Sequence, residues 1–239
     1  RERLLQNFLP DPADAGRKRI GLLRSTMMIE HLPFWANLLD ILGFTPVLVP
    51  LEEKSDAHWQ SNLPTEVCLP LKSAQTELVQ LLDCNLADKI LLPSILEYSP
   101  LHPKDRVHTC LYTQQQPYMV GEKYRDRILI PQGGFSASVP AAKEVMRTVA
   151  DVLNVRLKNV EKAWQTAIDH QNQFSEARQQ LGEEALAECG GCGVVVLGKP
   201  YNLYNPRLNL GLAALCEKLR VFALPMDLLP FKKIELGSE

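Results

Sequence analysis

The chain has 239 residues, 46% of them apolar and 23% charged, and a formal net charge of -2. This is the composition of an ordinary soluble globular protein, long enough to bury a sizeable core in one large domain or two lobes. No cluster of Lys and Arg interleaved with aromatics marks a nucleic-acid binder, and no apolar run approaches the ~18 residues of a membrane span. The opening "RERLLQNFLP" lacks the basic-then-apolar order of a secretory signal. The expectation is a cytoplasmic protein with neither nucleic acid nor membrane as partner. Six cysteines are too few for a disulfide scaffold, so each thiol reads as buried hydrophobe, metal ligand or nucleophile. The first residue is Arg rather than Met, which points to a processed protein or a piece of a longer polypeptide.

Residues 1–18, ending in "PDPADAGRK", are rich in Pro, Asp and Gly and read as an arm or linker. "RIGLLRS" (19–25) is a run of strand length, followed by a helix in which Phe34, Leu38, Leu39 and Leu42 recur at helical spacing and which Gly43 stops. "TPVLVP" (45–50) is a second strand. A loop with "PTEVCLP" leads to a helix that aligns Leu78, Leu81 and Leu82, and "KILLPS" (89–94) is a third strand. Continuous apolar strands alternating with amphipathic helices are the mark of a parallel sheet covered on both faces.

The stretch 95–126 mixes Pro, Gln, Tyr and His without a period, and long irregular segments are often functional. "RILIPQ" (127–132) returns as a strand and "GGFSAS" reads as a turn. Ser138 then caps a helix with Val145, Val149 and Val152 on one face. From Lys158 to Glu188 the text is polar and helix-favouring, with Val160, Trp164, Ile168, Phe174 and Leu181 as a sparse stripe. The expected organisation is a Rossmann-like α/β lobe over 19–154 and a bridging helix over 155–188. A second, incomplete α/β lobe starts at 189–239, with "GVVVLGKP", a helix carrying Leu210, Leu215 and Leu219, and the strand "VFALPMD".

Cys189 and Cys192 form a Cys-x-x-Cys, but they precede a strand in a glycine-rich turn, the reverse of the thioredoxin order, and have no second ligand pair for zinc. A flexible turn is the favoured reading. Cys84 and Cys216 fall on apolar helix faces and read as buried. Cys68 and Cys110 differ, because each lies in a segment after a strand, at the edge where open α/β sheets bind ligands. Two thiolates there can ligate iron or zinc, although two do not close a site. His108 stands two residues from Cys110, and none of the five histidines has metal spacing. Lys199, Tyr201, Asn202, Tyr204 and Asn205 crowd the loop "GKPYNLYNP", which can hold a phosphate or carboxylate or can simply be hydrogen-bonded to itself. Neither Gly-x-Gly-x-x-Gly, Gly-x-x-x-x-Gly-Lys-Ser nor Gly-x-Ser-x-Gly occurs.

Taken in order, "IGLLRSTMMIEHLPFWANLLDILGFTPVLVP", "PTEVCLPLKSAQTELVQLL", "DKILLPSILEY", "TCLYTQQQPY" and "VVLGKPYNLYNPRLNLGLAALCEKLRVFALPMDLLP" resemble the domain attached to activators of 2-hydroxyacyl-CoA dehydratases. That domain is a relative of the dehydratase and benzoyl-CoA reductase subunits. The resemblance implies Rossmann-like lobes holding an iron-sulfur cluster, 4Fe-4S being the type expected, and an electron received from an ATP-driven activator. It makes Cys68, in an E-x-C-x-P-x-K pattern, and Cys110, in a C-x-x-x-Q pattern, the cluster ligands, with a further cysteine downstream of Glu239. It implies activator ATPase modules in the same polypeptide and dehydratase-type subunits as partners. The chain departs from the family in having Lys199 where Arg is common, in lacking Gly-His after Lys72, and in its Cys189 and Cys192 pair. Two alternatives stay open: an interaction or regulatory domain without a cluster, and a thiol redox module on Cys189 and Cys192.

Overall fold

The computed structural model describes residues 1–11, 16–49, 67–98, 107–135, 139–205 and 208–230. Among the described residues six strands lie in the first part of the chain: β1 (Arg19–Leu22), β2 (Thr45–Leu48), β3 (Lys89–Leu91), β4 (Ser94–Tyr98), β5 (Ile128–Leu129) and β6 (Gln132–Phe135). The helices around them are α1 (Glu2–Gln6), α2 (Leu32–Ile41), α3 (Leu69–Asp83), α4 (Leu111–Gln115), α5 (Val139–Leu153) and α6 (Leu157–Glu188). The protein is α/β, and its main sheet has the parallel order β2-β1-β3-β5.

Both faces of that sheet are buried, which is why its strands are apolar throughout rather than alternating. Ile20, Leu22, Leu91 and Leu129 point into a core shared with Phe34, Trp35, Val149, Trp164 and Phe174 of α2, α5 and α6. Leu23, Ile90 and Ile128 point the other way, against Leu78, Leu81 and Leu82 of α3. Gly21 permits this second layer to sit close: a Cβ there would come within 2.5 Å of Ile90 Cδ1 and 2.9 Å of Leu81 Cδ1. Val145 and Val149 of α5 are buried, while Ser138 lies outside the described residues.

Four local readings are corrected. Residues 95–126 are not structureless: β4 and α4 occupy part of them, with short helical turns at Gln116–Tyr118 and Glu122–Arg127. The Gly-Gly of "GGFSAS" lies in strand β6, parallel to β4, not in a turn. Glycine is needed there for close approach, since a Cβ on Gly133 would meet Val145 Cγ2 at 2.6 Å. Cys84 is exposed where α3 ends, and Cys216 is half-buried. At the start of the chain, read as an arm, α1 places Leu5 fully buried against α6.

After α6 the chain turns through Gly190 and Gly191 into β7 (Gly193–Val196), then α7 (Pro200–Tyr204), α8 (Leu212–Lys218) and β8 (Phe222–Pro225). The two strands pair in parallel from Gly193 opposite Phe222 to Val196 opposite Pro225. Helix α6 serves both parts. Its Val160, Ala163, Trp164 and Phe174 lie in the first core, and its later turns carry the segment Met226–Leu228 after β8. Among the described residues no helix is long and apolar enough to cross a membrane.

Candidate functional site

The main sheet reverses its winding at β1: the chain steps to β2 on one side, then crosses to β3 on the other. Ligands of open parallel sheets bind in the crevice outside the strand carboxyl ends at such a point. Here that end of β1 leads through Arg24 and Ser25 into a helical turn at Thr26–Glu30. Thr26 has φ +52°, left-handed backbone that a β-branched residue adopts at a cost of about 1–3 kcal/mol. Neighbouring elements hold it there. Glu77 of α3 accepts the Arg24 N–H at 2.6 Å, and Thr26 Oγ1 donates to Oε1 of the buried Gln116 at 3.0 Å.

Around this turn the segments singled out in the sequence converge. α3 and α7 both pack on it, and Gln116, just after α4, bonds to it. Cys68 immediately precedes α3 and Cys110 immediately precedes α4; both are exposed. The Cys110 segment is braced on β4: Thr109 Oγ1 donates to the Ile95 carbonyl, Gln114 Nε2 to the Leu96 and Thr109 carbonyls, and Ser94 Oγ to the Gln114 carbonyl. The half-buried Tyr201 of α7 lies within electrostatic reach of both thiols and of Glu30. Burial first, then these three groups, push its phenol above the usual range.

Lys199 stands at the start of α7, where its carbonyl accepts the Asn202 and Leu203 N–H groups, and its ammonium moderates the Glu30 carboxyl, which burial raises. Asn202 lines a largely apolar cavity of about 310 Å³ with Leu69 and Pro70, the two residues after Cys68, and with Gly198 and Leu203. His108 is exposed, 3.9 Å from Glu97. Cys189 ends α6, and Cys192 sits in the turn before β7. Among the described residues no group of three or more His, Cys, Asp and Glu could hold a metal ion. Cys68 and Cys110 are both exposed thiols, a soft donor type, and two donors alone do not close a metal site.

Sequence reading missed Thr26, Glu77 and Gln116. The strain at Thr26 has no local signature. Glu77 had one, being a carboxylate between Ala74 and Leu81 on the apolar face of α3. Burial pushes the Glu77 carboxyl up to about 7, against the hydrogen bonds from Arg24 and Ser25 that lower it. Folded Glu77 thus keeps its proton where the unfolded chain has lost it, so its contribution to stability is complete below about pH 4.5 and is lost as the pH rises to about 7. Glu77→Gln mimics the protonated form. Thermal melts are expected to show the variant gaining on the wild type by on the order of 2 kcal/mol between pH 5 and pH 8; parallel curves would refute this. His31, held down to about 4 by burial and Arg178, acts on the acid side, removing stability as the pH falls from about 6.5 towards 4.

The fold and this edge define a parallel α/β protein with a pair of accessible thiols beside its topological switch point. Residues 19–229 match the family described as "CoA enzyme activase uncharacterised domain", so the chain belongs to that family. No curated protein and no solved structure matches it significantly.

Proposed function

We propose that this activase-family domain binds an iron-sulfur cluster, of the 4Fe-4S type, through Cys68 and Cys110, and takes part in electron transfer to or within a 2-hydroxyacyl-CoA dehydratase system. The supporting observation is that two exposed thiols, far apart in sequence, share the neighbourhood of one phenol at the sheet edge. The remaining ligands come from outside the described residues. A bound cluster supplies one-electron transfer. The chain itself supplies two exposed thiols, Cys110 on backbone braced against β4, a polar rim of Lys199, Tyr201 and Asn202, and an apolar cavity beside the residues that follow Cys68. Its partners on this reading are activator ATPase modules of the same polypeptide and dehydratase-type subunits.

The test is anaerobic reconstitution followed by iron and sulfide assay. The wild type is expected to take up both, and Cys68→Ala and Cys110→Ala each to lose most of the iron. A wild type that stays colourless and iron-free sinks the reading.

One observation favours the alternative, an interaction domain without a cluster. Leu197, Leu210 and Leu219 are 76%, 85% and 61% exposed on the unit that follows α6, apolar side chains that a partner protein would cover on this second reading. An iron-free protein that still co-purifies with an ATPase module would select it.

A further inference from the structure

We propose that Cys189 and Cys192 are a redox modification site, a pair of thiols that closes reversibly to a disulfide and clasps the start of β7 to the end of α6. The assignment is independent of the cluster reading, since neither thiol belongs to the Cys68 and Cys110 edge.

Two residues separate the cysteines in sequence, and the turn between them brings their segments closer. Cys189 is where α6 ends, its N–H still donating to the Leu186 carbonyl at 3.2 Å, so its backbone is set by a 32-residue helix. Gly191 N–H then donates back to the Cys189 carbonyl at 2.8 Å, folding the chain on itself over two residues. Gly191 does so at φ +153°, backbone that favours glycine. On the far side of the turn the Cys189 sulfur lies against Gly193, the residue after Cys192: a Cβ there would fall 3.2 Å from it. A Cβ on Gly190 or Gly191 would meet nothing within 4 Å, so the glycines that must swivel as the sulfurs join have open space to do it.

The position of the pair decides what the bond does. A catalytic Cys-x-x-Cys sits at a helix N-terminus. This one stands at the C-terminal end of α6 and directly before β7, the place of a clasp between two elements. Gly193 opens β7 opposite Phe222 of β8, and Val194 and Val195 are exposed, so among the described residues β8 is the one strand that holds β7. Tying Cys192 to the end of α6 restricts the opened form of β7 more than the paired form, and so favours pairing.

Cys192 is exposed and Cys189 half-buried, so Cys192 reacts first. With a small disulfide such as oxidised glutathione as the oxidant, Cys192 attacks one sulfur as thiolate, expels one glutathione thiolate and forms a mixed disulfide. Cys189 then attacks the Cys192 sulfur and expels the second. Two protein thiols are oxidised, the glutathione disulfide is reduced, and the two protons pass to the two glutathione thiols released.

The experiment treats the protein with oxidised glutathione, blocks the remaining free thiols with a mass label and digests with trypsin. Because Pro200 protects the Lys199 bond, residues 179–207 form one peptide, whose only cysteines are Cys189 and Cys192. The wild type is expected to yield this peptide unlabelled and two hydrogens lighter, and dithiothreitol to restore two thiols that take the label. Cys189→Ser is expected to stop at a glutathione adduct on Cys192. Amides of Val194 to Val196 are expected to exchange about tenfold more slowly in the oxidised protein than in the reduced one. A peptide with both thiols labelled, or with glutathione on each, overturns the proposal. So does a disulfide that leaves these amides exchanging as before, since it would then hold nothing in place.

Discussion

Gly182→Ala is expected to destabilise the protein by about 3 kcal/mol or more and to loosen the unit that follows α6 before the main sheet is affected. Inside an exposed helix this exchange would stabilise by roughly 1 kcal/mol, because alanine is the better helix former. Here the contact decides the sign. A Cβ on Gly182 would fall 1.6 Å from the Leu228 carbonyl oxygen and 2.7 Å from its carbon, and a backbone carbonyl cannot swing aside as a side chain can. The segment after β8 must therefore lift from α6. Urea unfolding gives the magnitude, and amide exchange gives the place: Ala223 to Leu228 should lose protection while Ile20 to Leu22 keep theirs. A variant as stable as the wild type, or more so, would show that α6 and this segment do not meet as described.

The second large effect belongs to Asp227, which lies in the same segment. Its Oδ1 accepts the Tyr204 O–H, and its Oδ2 lies 3.4 Å from Arg1 Nε and 3.6 Å from Arg178 Nη1. The Arg1 guanidinium is fully enclosed and stacks 4.8 Å from the Tyr204 ring. Removing this carboxylate leaves Tyr204 without its acceptor and the two guanidiniums without their shared anion, although Arg1 keeps its bond to the Ile29 carbonyl at 2.9 Å and its Glu2 neighbour at 3.7 Å. Breaking a buried ion pair from one side costs about 3–5 kcal/mol. Asp227→Ala should show that loss in urea unfolding. Asp227→Asn, which keeps an oxygen for Tyr204 but drops the charge, should show about half. Equal stability of Asn and wild type would mean the charge has no part in joining α1, α6 and α7.

Much of the fold could be read from apolar periodicity. The runs at 19–25, 45–50 and 89–94 became β1, β2 and β3, and the helical spacing of Phe34, Leu38 and Leu39 and of Leu78, Leu81 and Leu82 became buried faces of α2 and α3. The failures share a cause. The strand β6 is half glycine because α5 presses on it, and β4 is short and flanked by Pro93, so neither carries an apolar pattern long enough to register. Cys84 was misplaced because helical spacing does not reveal where a helix ends. At the site, the convergence of the Cys68, Cys110 and Tyr201 segments depends on which turn lies between them. Thr26 and Gln116, 90 positions apart, have no local pattern that announces their bond.

The lashing of Thr109 and Gln114 to β4 bears on what kind of guest this edge admits. A cysteine on a floppy loop wraps any cation and loses freedom in doing so, whereas one suspended from strand-anchored backbone has already given up that freedom during folding. Cys110 stands in the second situation. On the cluster reading proposed above, selection at its sulfur operates by ionic radius and bond length rather than by adjustment of the host, so a guest too large or too small is rejected by a mismatch the peptide has little slack to absorb.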